Sequence, residues 1–172
     1  MPLSMFQASV PVFLQLLPAL SANLDKAVAH ATARKFDPVV FVGMRLFPDM
    51  YPFSRQVQLT CDWAKNCAAR LGGVEPQKFA DTETTMDELK ARIAKAIEYV
   101  KTFTPTQIDG SETRDVTIPF GQGQTRTFKG QVYLFGLALP NFYFHTTTAY
   151  DILRHSGVEL GKRDFIGTLP TG

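Results

Sequence analysis

Four long runs of this chain carry apolar residues at steps of three and four, and such runs can bury their apolar surface only by packing helix against helix. In the first, Phe6, Val10, Phe13, Leu17, Leu20 and Leu24 share one face of a helix predicted over residues 4–33, with Pro11 bending it early. The second follows Pro52, which suits the first helical turn. Phe53, Val57, Cys61, Ala64, Ala68 and Leu71 repeat there until Gly72 and Gly73 stop it. The third opens on a capping box, Thr85 with Glu88. Its narrow seam is Met86, Leu89, Ile93, Val100 and Phe103, with Lys90, Arg92, Lys95 and Glu98 outside and Pro105 beyond its end. The fourth spans residues 130–156, is rich in aromatics and is closed by Gly157.

Between these runs, residues 39–47 read as a strand or a buried helical turn. The period falls to two over 115–129, where Gly121, Gln122 and Gly123 turn a small hairpin. The tail, 161–167, has two apolar side chains after three charges and is expected to lie back on the bundle. The pattern predicts an antiparallel four-helix bundle with a hairpin before the last helix, one domain over residues 1–172.

Charge and targeting narrow the function classes. Eighteen Lys and Arg stand against sixteen Asp and Glu, a balance without the basic stripe that nucleic-acid binding needs, so no such partner is expected. The first charged residue is Asp25. The stretch before it has no basic start, is broken by Pro11 and Pro18 and carries recurrent polar residues, so neither a signal peptide nor a membrane span is expected. Cys61 and Cys67 lack a C-x-x-C motif and read as buried reduced thiols of a cytoplasmic protein.

Chemistry concentrates on the last helix, where one face reads Leu134, Ala138, Asn141, His145, Thr148 and Ile152. Asn141 and His145, four residues apart, project from one side toward the core, either as the floor of a pocket in a small-molecule-binding protein or degenerate metal-dependent enzyme, or as a hydrogen-bonded pair that only fixes packing. His155 lies about 15 Å further along the helix and serves its carbonyl end. Asp49, between Pro48 and Pro52, stands at the rim of the pocket or caps the second helix; Arg45 pairs with it or binds an anion. Tyr143, Tyr150 and Trp63 line a cavity or fill the core.

The strings RLFPDMYPFSRQV, ETTMDELKARI, PNFYFHTTTAYDILRHSGV and LGKRDFIG together resemble a family of unknown function grouped with the DinB/YfiT-like metalloenzymes, over nearly the whole chain. The resemblance implies a mainly all-α, up-down-down-up four-helix bundle with a long crossover, commonly a homodimer. In that superfamily one His of the second helix and a His-x-x-x-His pair of the last bind a divalent metal, and some members use it to activate a low-molecular-weight thiol. Carried over, His145 matches the second His of the pair and Asn141 stands in place of the first. The helix-two position falls to Asp49 or Gln56. The implied cofactor is Zn, Ni or Mn on His145, Asn141, Asp49 and Gln56, with two of three imidazoles replaced. A second apolar stripe on the last helix, Phe135, Leu139, Phe142 and Leu153, adds to the expectation of a homodimer.

Overall fold

The structure, a computed structural model, describes residues 3–169. Helix α1 (Val10–Ala33) begins later than its apolar spacing predicts. Residues 5–9 form turns instead, with Ala8 N–H donating to Ser4 O and Val10 N–H to Phe6 O. Pro11 therefore falls in the first turn, where its missing N–H removes no helical bond, and Pro18 is the proline inside the helix. The ambiguous apolar stretch is a 3-10 helix (Pro38–Gly43) capped by the Asp37 side chain, which accepts from Val39 N–H at 2.9 Å and turns Phe41 inward.

Helices α2 (Phe53–Leu71) and α3 (Met86–Lys101) follow, the latter with the predicted Thr85 and Glu88 capping box. After a short α4 (Pro105–Ile108), strands β1 (Asp115–Pro119) and β2 (Thr125–Lys129) pair antiparallel from Asp115 with Lys129 to Pro119 with Thr125. Val116 and Ile118 face inward and β2 is largely exposed. The hairpin passes directly into the last helix at Gly130. A Cβ there would lie 2.0 Å from Ser111 O, so only glycine permits this close crossing.

The last helix is not continuous α. It begins as α5 (Gly130–Tyr133), widens through a π turn (Leu134–Ala138) and resumes as α6 (Leu139–His155). In the π turn Leu139 N–H donates to Leu134 O, five residues back. Pro140 supplies the reason: it has no N–H and its ring cannot sit against the carbonyl four residues earlier, so the ladder shifts before it.

Helices α1 and α2 each pack against both α3 and α6. Their common core includes Phe13, Leu17, Phe53, Leu89, Ile93 and Phe142, with Phe13 edge-on to Phe142 at 4.9 Å. The tail folds back as predicted: α7 (Lys162–Ile166) packs on α1, where Lys26 pairs with Asp164 at 2.6 Å and Gln15 donates to Ile166 O. Among the described residues no helix is long and apolar enough to cross a membrane. The fold is thus mainly α, a four-helix bundle with a two-stranded hairpin before the last helix.

Candidate functional site

The polar stripe of the last helix is wired differently from its sequence spacing. Asn141 does not meet His145; its Nδ2 donates to Leu137 O at 2.8 Å, serving the backbone of the turn that the π segment and Pro140 disturb. Thr148 donates to Phe144 O and Thr146 to Phe142 O, so these hydroxyls are also satisfied within the helix. His145 alone reaches across to another helix. Its Nδ1 lies 2.8 Å from Gln56 Oε1 of α2, and both side chains are buried.

The tautomer follows from the amide. Gln56 Nε2 donates to Tyr51 O at 3.2 Å, which turns Oε1 toward the imidazole, so His145 Nδ1 carries the proton and donates. Nε2 is then the unprotonated nitrogen. Burial, and next the positive charge of Arg55, push the His145 pKa down from 6.5 to about 4, so the ring is neutral at physiological pH. Phe144 stands edge-on to it with ring centroids 5.2 Å apart.

The other sequence candidates lie elsewhere. Asp49 is exposed and does not cap α2, whose N-cap is Pro52. Arg45 does not pair with it: Nη1 donates to Pro48 O and Met50 O and clasps the turn between them. Tyr150 is half-buried with its ring against Phe165 of α7, centroids 5.8 Å apart, which ties the tail down. Surface hollows of about 250 to 410 Å³ lie elsewhere on the bundle, lined by residues other than His145.

A divalent metal does not fit this donor set. Gln56 Oε1 is taken by His145 Nδ1, the Asn141 amide faces its own helix, and Asp49 lies on an exposed turn. One imidazole nitrogen remains, and amides are poor partners for zinc or nickel. Among the described residues no three His, Cys, Asp or Glu side chains group to hold an ion.

Sequence spacing also misplaced Arg92, assigned to the solvent face of α3. Its side chain is 1% exposed and meets Asp62, Asp81 and Glu83 at 3.0, 2.9 and 3.0 Å. The available signal was its position beside Ile93 and three residues after Leu89, at the margin of the seam.

A solved structure agrees with the architecture and a family model spans the chain. The family described as "Domain of unknown function (DUF1993)" matches residues 5–166. A crystal structure of a DinB family member protein from Shewanella denitrificans is 38% identical, covering 97% of this chain and 94% of that one, with a TM-score of 0.88. No curated protein matches.

Proposed function

This chain belongs to the DUF1993 family with a DinB-like fold, and from that premise we propose that it is a metal-independent binding protein in which a Gln56 to His145 hydrogen bond occupies two of the positions that the sequence resemblance implies as metal ligands. The observation that carries this reading is the 2.8 Å bond itself, which joins α2 to α6 with neutral groups, while among the described residues no three His, Cys, Asp or Glu side chains group to hold an ion. The pair then fixes how two helices meet, a packing role, and binding capacity lies elsewhere on the bundle.

Elemental analysis of protein purified without a histidine tag, followed by thermal melts with Zn, Ni or Mn, tests it. A metal present at a hundred times its Kd stabilises the folded state by about 2.7 kcal/mol, a shift of several degrees in Tm. We expect metal content near zero and no such shift; stoichiometric metal would overturn the reading.

The protein is proposed to act as a homodimer through the outer face of its last helix. Leu139, Phe142 and Leu153 of the predicted second stripe are buried in the monomer, so they do not form the contact. Val132, Phe135, Tyr143 and Phe144 instead stand 41% to 57% exposed along that helix and supply the apolar side chains for the contact. Light scattering should give about twice the 19.1 kDa chain mass. A monomer mass over a wide concentration range removes the dimer.

A further inference from the structure

Two guanidiniums and the only tryptophan of the chain border one groove between α2 and the hairpin. Arg70, in the last turn of α2, donates Nη1 to the hydroxyl of the buried Tyr133 at 3.0 Å, with its Cζ 5.8 Å from the centroid of that ring. Arg114 enters from the loop before β1 and donates Nη1 to Leu71 O, at the end of the same helix. It lies close over Gly73, at φ 73°, where a Cβ would come within 3.2 Å of Nη1. Each guanidinium is thus anchored by one nitrogen on a neutral acceptor. Among the described residues neither has a carboxylate within 4.0 Å, and their Nε and Nη2 groups have no protein acceptor.

The groove consists of two adjoining hollows that share Arg70 and Pro119. One, of about 340 Å³, holds both guanidiniums. The other, of about 250 Å³, is walled by Leu59, Trp63 and Ile118. Three carboxylates also border it, but two are engaged: Asp62 by Arg92 and Lys65, and Asp115 by Lys129 at 2.7 Å. Glu75 remains, so the groove keeps a surplus of positive charge beside an apolar wall.

We infer that this groove binds small amphipathic carboxylates, the acid group on Arg70 and Arg114 and the apolar body against Trp63. Guanidiniums suit this task because their planar donors match the two oxygens of a carboxylate, and anchoring through Tyr133 and Leu71 O lowers the entropy lost on binding. The combined hollows suit an acid of one ring or a short acyl chain. The proposal gives the binding-protein reading a ligand class at a separate place, and its test does not depend on the metal result.

Because Trp63 is the sole tryptophan, fluorescence of the whole protein reports on the groove directly. Titration with 3-phenylpropanoate should give a saturable change, while the neutral 3-phenylpropanamide should bind about tenfold more weakly. Arg70→Gln should weaken the acid by about tenfold and leave the amide unchanged, with circular dichroism confirming the fold. If that variant loses its fold, Arg114→Gln and the acid-to-amide contrast in the unmodified protein decide. No saturable response to the acid, or equal affinity for acid and amide, overturns the proposal.

Discussion

Replacing Arg92 by Met should cost the fold about 3 to 5 kcal/mol, the range for removing one partner from a buried charged network. Arg92 is the hub that pins the irregular connection 72–85 onto the bundle. Nη1 donates to Ala80 O at 2.8 Å and Glu83 at 3.0 Å, and Nη2 meets Asp62 of α2 and Asp81 of the connection. The Phe79 ring covers the network, with Lys95 and Lys65 at 4.2 and 4.8 Å from its centroid and Arg92 Cζ at 5.7 Å. Methionine keeps the apolar stem but leaves three carboxylates facing one another, with Arg55 on Asp81 and Lys65 on Asp62 as the remaining ion pairs. Urea unfolding measures the loss, and Lys90→Met is the reference. Lys90 pairs with Asp25 in water, where such pairs contribute about 1 kcal/mol or less. Equal losses in the two variants would show that burial of Arg92 confers nothing.

The second large effect depends on pH. In the unfolded chain the His145 imidazole titrates near 6.5, and in the folded protein near 4, because burial and the Arg55 charge oppose the imidazolium. Between those values the unfolded state holds more protons, so acid favours unfolding. The contribution is complete above about pH 6.5 and falls by about 3 kcal/mol as the pH drops to about 4, at 1.36 kcal/mol per unit. Comparing urea unfolding of the unmodified protein and His145→Gln from pH 7 to 4 isolates this contribution, since the titrations common to both cancel. The variant should lose less stability over this window. Parallel losses, or an NMR titration of the His145 ring centred near 6.5, would contradict the neutral buried imidazole.

The same residue separates what is local from what is not. Thr85 with Glu88, Gly72 with Gly73 and the alternation from Asp115 to Lys129 are each read within a few residues, and each element lies where its signal falls. Capping, stopping and pairing in a short hairpin are decided by neighbours in the chain, so the bundle and its hairpin were legible. The DinB-like neighbour, with a TM-score of 0.88, agrees with that reading. Asn141 and His145 also share a predicted face, yet a shared face does not make a contact: Asn141 turns to the backbone disturbed before Pro140, a shift in the helix that apolar spacing does not register.

The pairing that defines the site, Gln56 with His145, spans 89 residues of sequence. It depends on the rotation of α2 about its axis and on the π turn that resets the phase of α6, neither of which apolar spacing specifies to within one side chain. Arg92 was misplaced for a related reason, since a long cation at the edge of a seam faces water until another segment covers it. The connection 72–85 does so by bringing Asp81 and Glu83 to it. Helix periodicity, caps and turns are local properties that the sequence determined by itself; which polar groups meet across the bundle is settled only when helices dock and the irregular connections close over them, because burial makes an unpaired polar group costly and selects the partners that satisfy it.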